Sequence, residues 1–402
     1  MAGNEIIRIG LVSVARSDYG IYRPLLRVLV NDQAFELQLI AAGMHLVPTF
    51  GNTFREIIRD GFEIAAQVEM TPASDTPEAV AKAMGQGTIG FAKAYSRLKP
   101  NILVVLGDRY EMHAAAVAAV PFLIPTIHIA GGSLTIGAID DSLRHSITKL
   151  SHLHFVETEI YRQRVIQMGE EPWRVHTTGS LNLDNLEGFA PLPLDEINRR
   201  FGLALKPHAP PLLVTFHPVT REYKDTRSYM DALLGALSDS GLPVVFTYPN
   251  ADTNGRVIIE MIENYVDGRD DAFCVAHFGV EGYYSLMANA AAMVGNSSSG
   301  IIEAASFKLP VVNIGRRQEG RFAPRNVLTV GTGKDEILAG IAKAVSPKFH
   351  KSLESMENPY GDGHAAERII AALRGLDLRA PDLIAKPFHD LPLAPASRRR
   401  AK

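Results

Sequence analysis

Three observations predict two doubly wound, Rossmann-like α/β domains facing a cleft. Short apolar runs alternate with amphipathic, helix-length segments through most of the chain, the pattern of strand–helix–strand units in a parallel sheet. The alternation restarts after a passage rich in Pro and Leu at 183–210. The 402 residues exceed what one ordinary core fills. Two such halves would line a cleft with two sets of strand ends.

Composition narrows the function. The net charge of -3 gives no basis for wholesale nucleic-acid binding. The single cysteine, Cys274, rules out an internal disulfide and a cysteine metal site, and its apolar flanks suit a buried thiol. No apolar run is long enough to span a membrane. Met1-Ala-Gly-Asn-Glu5 leads into a strand without a basic segment, so no signal peptide and a cytoplasmic protein are expected.

The first half opens with a β-branched strand, Ile6–Val14, then Ala15-Arg-Ser-Asp-Tyr-Gly20 and a helix, Ile21–Asn31. This turn puts Arg16 at a strand end with Ser17 or Asp18 at a helix start, where an anion can sit on free N–H groups. A plain N-cap explains Ser17 and Asp18 but not Arg16. Phe35–Ala42 is the second strand, ending at Gly43-Met-His45. A helix over Thr53–Arg59, a strand over Phe62–Val68 and a long helix over Thr76–Leu98 follow.

The centre of the chain is Asn101–Lys149. Two buried runs, Ile102–Leu106 and Pro125–Ile129, flank a helix at about 111–120. They end in Gly107-Asp-Arg109 and His128-Ile-Ala-Gly-Gly132, with Asp140-Asp-Ser-Leu-Arg-His145 next. Strand carboxyl ends are where open α/β sheets bind ligands. Asp108, Asp140, Asp141, Arg109, Arg144, His128 and His145 each read singly as loop charges facing water. As a set at two adjacent strand ends they read as a site. Ser146–His152 continues a helix, and His154–Glu157, Glu159–Met168 and Val175–Thr178 complete the half as strand, helix and strand.

The second half carries strands at Leu212–Phe216, Pro243–Tyr248, Phe273–Phe278, Ala292–Gly295 and Pro310–Ile314, with a closing strand after Asn326. Helices are expected at Leu194–Phe201, Tyr229–Leu237, Val257–Tyr265, Tyr283–Asn289, Ile301–Phe307, Lys334–Val345 and His364–Arg374. From Leu376 a Pro-rich tail, disordered or draped on the surface, ends in Arg398-Arg-Arg-Ala-Lys402.

Asn296-Ser-Ser-Ser-Gly300 is a small-residue turn whose N–H and hydroxyl groups can surround a phosphate. It lacks the lysine of a P-loop. Glu303, one turn on, suits both hydroxyls of a ribose, and equally a helix-dipole partner. Arg317 ends the next strand, placed to add charge to a diphosphate. No Gly-x-Gly-x-x-Gly follows the first strand, so an NAD site is not expected.

These pieces together resemble the hydrolysing UDP-N-acetylglucosamine 2-epimerase family, in its sialic-acid and legionaminic-acid branch. The matching segments are Arg16-Ser-Asp-Tyr-Gly20, Gly43-Met-His45, Gly107-Asp-Arg109, His128-Ile-Ala-Gly-Gly132, Ile139-Asp-Asp-Ser-Leu-Arg-His145, Thr215-Phe-His217, Tyr248-Pro-Asn250, Gly295–Gly300 with Glu303, Arg317, and Asn358-Pro-Tyr-Gly-Asp-Gly363. They run in family order to about residue 375. The resemblance implies a glycosyltransferase-B-like fold: an N-terminal domain over 1–185 with the acid/base residues and a nucleotide domain over 186–360. A helix over 361–375 would cross back to the first domain, leaving the tail at 376–402. It also implies a dimer, a UDP- or GDP-linked sugar as substrate, no nucleic-acid or membrane partner, and no metal or redox cofactor.

By the same resemblance the diphosphate leaves with the proton on sugar carbon 2, and the glycal is hydrated to a free 2-epimeric sugar. Asp108 and Asp140 match the acid/base carboxylates and His217 a histidine near the diphosphate. Arg16, Arg109, Asn250, Ser297, Ser298, Ser299, Gly300, Glu303 and Arg317 match nucleotide contacts, and His45, His128, Arg144 and His145 fall to the sugar. The chain departs from the pattern at Ala130, where many members carry Glu, and at Ser133, often Glu in the sialic-acid branch. Asp140, Asp141 or Glu111 would then take over the missing role, or the branch would distribute the protons differently. The loop Leu134–Asp140 is one residue longer than the sialic-acid form. It looks more like the branch acting on a 2,4-diacetamido-2,4,6-trideoxy-glucose. The alternatives are a glycosyltransferase of the same architecture and a catalytically silent sugar-nucleotide-binding protein, which Ala130 alone favours.

Overall fold

The computed structural model describes residues 6–48, 51–72, 74, 76–136, 139–219, 224–249, 255–276 and 278–392. The chain divides into two compact units, one built from 1–132, 142–178 and 366–402, the other from 133–141 and 179–365. Both are doubly wound α/β units with parallel sheets. Among the described residues no helix is long and apolar enough to cross a membrane.

The first unit holds β1 (Ile7–Ser13), β2 (Phe35–Ala42), β3 (Ile64–Val68), β4 (Ile102–Leu106), β5 (Thr126–Ile129), β6 (Leu153–Val156) and β7 (Val175–Thr177). They pair in the order β3-β2-β1-β4-β5-β6-β7, all parallel. Every residue of β4 and β5 is buried. Helices cover both faces of a parallel sheet, which is why these strands are unbroken apolar runs rather than alternating ones. Strand order reverses between β1 and β4, so the loops after these two strands diverge and leave a crevice at their carboxyl ends.

The second unit holds β8 (Leu212–Thr215), β9 (Val244–Thr247), β10 (Ala272–Val275), β11 (Ala292–Gly295), β12 (Val311–Ile314) and β13 (Val327–Val330), in the order β10-β9-β8-β11-β12-β13. Successive residues of β8 go to opposite faces. Leu212 and Val214 pack with Met230, Ile258 and Ile341. Leu213 packs with Ile197, Tyr284 and Leu286. The reversal here falls between β8 and β11, beside His217 and the 296–300 turn.

Four local expectations are corrected. The first helix runs Arg16–Val30 rather than from Ile21, and its N-cap is Ala15, with no side-chain cap. Ser17 and Asp18 therefore stand in the first turn, where Asp18 turns inward and accepts a hydrogen bond from Ser17 Oγ at 3.3 Å. A helix at Pro347–Leu353 was not anticipated, although Ser346 caps it and Pro347 opens it. After β11 the helix is short, Ser299–Ile302, and tightens into a 3₁₀ turn at Ala304–Phe307.

The fourth concerns the segment after Leu376, expected as a tail. Up to Pro392 it is a strap held on the first unit. The buried Arg174 guanidinium donates to the carbonyls of Asp382 at 2.8 Å and Leu383 at 2.9 Å. Lys386 Nζ donates to the Ser151 carbonyl at 2.6 Å and pairs with buried Glu170 at 3.0 Å. Phe388 covers Gly169, where a Cβ would collide with the ring. Pro381 opens a one-turn helix, Pro381–Ile384, within this segment, so its prolines do not prevent docking. Arg174→Ala strips buried carbonyls of a charged donor, and about 3 kcal/mol of the first unit's stability is expected to go. Chemical denaturation measures it; a loss under about 1 kcal/mol contradicts the anchoring role.

Candidate functional site

In the first unit β4 stops at Gly107, whose φ of +69° turns the chain sharply. Asp108 then presents its carboxylate to Arg144, a guanidinium with almost no exposure, on the helix Ile139–Leu150. The carboxylate stays about one-quarter exposed, so one side is held and the other is open to a ligand. Asp140 stands one turn before Arg144 on that helix. Asp141 accepts the Thr135 N–H at 2.8 Å and so ties down the 133–136 loop. His145 is half-buried on the same helix. Ala130 follows β5 in a left-handed conformation, φ +62°, and donates its N–H to the Phe155 carbonyl at 2.9 Å.

A second cluster lies at the ends of β1, β2 and β4. Glu111 is fully buried, and neither carboxylate oxygen has a hydrogen-bond partner among the described residues. Its nearest cation is Arg109, Nε to Oε2 at 3.4 Å. Asp18 also feels Arg109; burial raises its carboxyl to about 6, against the pull of that guanidinium. Sequence reasoning took Asp18 only as a possible cap. Nothing in the pattern signals that it points inward. Arg16, half-exposed, pairs with Glu56 at 3.2 Å.

His45 and His128 were expected at the sugar, but both are wholly buried and engaged elsewhere. His45 bonds Ser13 Oγ at 2.8 Å and Thr53 Oγ1 at 2.7 Å. His128 Nε2 faces the Gly107 carbonyl at 2.8 Å and must donate to it. Burial keeps that ring neutral, pulled to about 3, and its Nδ1 lies 3.1 Å from Thr148 Oγ1, whose hydroxyl also donates to the Arg144 carbonyl at 3.1 Å. His128 thus fixes the backbone immediately before Asp108 and supports it from beneath.

In the second unit Asn296 organises the strand ends. Its Oδ1 accepts the His217 N–H at 2.7 Å and its Nδ2 donates to the His217 carbonyl at 2.8 Å. Its own carbonyl receives Arg317 Nη1 at 3.0 Å and Gln318 Nε2 at 2.8 Å. Ser299 Oγ lies 2.8 Å from both Ser297 Oγ and the Tyr283 hydroxyl. Glu303 accepts from Asn182 Nδ2 at 3.0 Å. Burial, then the Arg317 charge, lowers His217 to about 3. The ring is neutral at pH 7 and so carries one N–H, beside the Arg317 charge. Asn250 lies outside the described residues. Asn296, Tyr283 and Gln318 were missed as individual contributors; the only signal was membership of a small-residue turn or a strand end.

These buried groups make a pH prediction. Burial first of all lowers His45 and His152 to about 4, and His128 and His217 to about 3. Each is protonated more readily in the unfolded chain, so each contributes stability that is lost as pH falls below about 6.5. Asp18 works in the opposite sense between about 4 and 6, where the folded state holds its proton. Unfolding at pH 5 should therefore take up protons, the histidines outweighing Asp18. Denaturation midpoints at pH 5 and pH 7 test this; a flat profile contradicts the burial of these rings.

Comparison with known proteins comes to the same region of sequence space. The family model "UDP-N-acetylglucosamine 2-epimerase" matches residues 27–374. A Legionella pneumophila "UDP-N,N'-diacetylbacillosamine 2-epimerase (hydrolyzing)" is 37% identical, covering 93% of this chain and 97% of the relative. A Campylobacter jejuni "GDP/UDP-N,N'-diacetylbacillosamine 2-epimerase (hydrolyzing)" is 40% identical, covering 80% of this chain and 83% of the relative. Among solved structures, the UDP-GlcNAc 2-epimerase from Neisseria meningitidis bound to UDP-GlcNAc aligns with a TM-score of 0.79 at 17% identity. It covers 92% of this chain and 100% of that one.

Proposed function

The chain belongs to the UDP-N-acetylglucosamine 2-epimerase family, and on that premise we propose how its two units divide a hydrolysing 2-epimerase reaction. The enzyme expels a nucleoside diphosphate from an N-acetylated, gluco-configured sugar nucleotide and releases the free manno-configured sugar for nonulosonic acid synthesis. The observation that carries the division is the half-open Asp108 carboxylate, clamped by buried Arg144 at the end of β4.

In the first step the C2–H and C1–O bonds break and a C1=C2 bond forms. The proton goes to an enzyme base and the electron pair leaves with the diphosphate. Asp108 is that base, oriented by Arg144. In the second step water adds its oxygen to C1, and C2 takes a proton on the opposite face. Asp140, in place of the carboxylate absent at 130, gives C2 that proton and takes one from the attacking water, while Asp108 returns its proton to solvent. Asp141 is committed to Thr135 N–H and Glu111 is fully enclosed, so both are assigned to the supporting structure. In the second unit Ser297–Gly300 hold the diphosphate, with neutral His217 as donor and Arg317 as counter-charge. Glu303 takes the ribose. Arg16, Arg109, Arg144 and His145 complete the proposed contacts to the substrate.

The substrate we favour is the UDP-linked 2,4-diacetamido-2,4,6-trideoxy-glucose. The longer 134–140 loop and the two diacetylbacillosamine-type relatives support it. GDP as an alternative nucleotide, a homodimer and a cytoplasmic location belong to the same proposal. The test is product analysis with this compound and with UDP-N-acetylglucosamine. Release of UDP with a free manno sugar is expected, faster from the diacetamido compound. Tight binding to both without release would favour a silent binding protein, the reading that Ala130 alone supports.

A further inference from the structure

A pocket of about 370 Å³ opens at the carboxyl ends of β11–β13, lined by Ile301, Asn313, Gln318, Gly320, Arg321 and Ala323 among others. That volume is in the range of small-molecule sites. No motif named above assigns it a ligand.

Gln318 is the notable wall. It is 6% exposed, and its Nε2 is spent on the Asn296 carbonyl. Its Oε1 is buried with no hydrogen-bond partner among the described residues. A buried amide oxygen left unpaired costs free energy, so it is an acceptor waiting for a ligand donor. Arg321 lines the same pocket one turn on, its backbone N–H bonded to the Gln318 carbonyl at 3.1 Å. No ion pair or side-chain hydrogen bond engages its guanidinium among the described residues. The pocket wall therefore carries one unpaired buried acceptor and one unengaged donor, beside the apolar surfaces of Ile301 and Ala323. A secondary amide, with its N–H, carbonyl and methyl, matches that set. A hydroxyl uses only part of it.

Position supports the match. Gln318 and Arg317 share the Asn296 carbonyl, so the pocket abuts the turn assigned to the diphosphate, to which the sugar is bonded. The 133–136 loop reaches the same rim. A Cβ on Gly320 would come within 2.8 Å of Leu134 Cβ and 3.0 Å of Ile136 Cδ1. The loop that the sequence singled out for substrate choice thus packs against a residue of the pocket wall.

We infer that this pocket reads the substituent on sugar carbon 4, with Gln318 Oε1 accepting an acetamido N–H and Arg321 donating to its carbonyl. The inference rests on the sugar-nucleotide reaction proposed above. It is tested with two UDP-sugars that differ only at carbon 4. One is 2,4-diacetamido-2,4,6-trideoxy-glucose and the other is 2-acetamido-2,6-dideoxy-glucose, which carries a hydroxyl there. Wild type is expected to favour the acetamido compound in kcat/KM by about tenfold or more. Arg321→Leu, which leaves the Asn296 turn untouched, should lose about tenfold on that compound and much less on the hydroxyl compound, with UDP affinity and the circular dichroism spectrum unchanged. Gln318→Leu reads the other half of the amide, and its UDP affinity is measured beside it because Gln318 Nε2 also holds the Asn296 carbonyl. An equal loss on both sugars, or an unchanged ratio, overturns the inference while leaving the reaction standing. If wild type turns over neither sugar, the reaction fails. The same ratio is then read from Kd by calorimetry, where equal affinities would overturn the inference.

Discussion

Asp108→Asn is expected to lower kcat by about 10³–10⁴ while UDP binds within about threefold of wild type. Two facts set this expectation. The carboxylate stands at the end of β4 with one side open, and Arg144 holds it on the other. An amide can still accept from Arg144, so the side chain stays in place, but it cannot take a proton from carbon 2. Removing the negative charge beside a buried guanidinium also costs stability, about 1–3 kcal/mol, because the ion pair of Arg144 with Asp108 is weakened to a neutral hydrogen bond. A thermal melt therefore accompanies the kinetic measurement. Unchanged turnover would remove Asp108 from the acid/base role and move the chemistry to Asp140 or to the Asp18–Arg109–Glu111 cluster.

Gly295→Ala should cost the second unit about 3 kcal/mol or more, with loss of nucleotide binding. Gly295 is the last residue of β11, paired with Thr215 of β8, and has φ +139°. This conformation strains any residue with a side chain. A Cβ here would also collide with the Thr215 carbonyl oxygen, which accepts the Asn296 N–H at 3.1 Å. The strand ends must separate to relieve the clash. Asn296 then loses its two bonds to the His217 backbone, and the phosphate turn and His217 shift together. Urea denaturation and UDP calorimetry check the two effects. A variant of normal stability and affinity would contradict this account of the β8–β11 junction.

The strands were legible because a parallel sheet covered on both faces writes continuous apolar runs, as in Leu103–Leu106 and Leu212–Val214. Their ends were legible because Gly107 and Gly295 punctuate the chain where φ turns positive. Asp108 and His217 could therefore be placed without a structure. Inward side-chain direction was not legible. Asp18 and Ser17 look alike as helix-start polar residues, and only tertiary packing buries the first. His45 and His128 follow the family's order, yet burial turns both rings to backbone or hydroxyl partners. Gln318 sits in a run of charged residues, and its value lies in one unpaired oxygen that no pattern reveals. The strap at 376–392 was hidden by its prolines. What fixes it is Arg174 and Glu170, some two hundred residues earlier in the chain.

The central claim is that the reaction runs by elimination and then hydration, and turnover in deuterated water tests it most directly. The account predicts free manno-configured sugar carrying one deuterium at carbon 2, seen by NMR as the carbon-2 proton signal missing from the first product formed. A free sugar of unchanged gluco configuration that keeps its carbon-2 proton would mean simple hydrolysis, and would contradict the account.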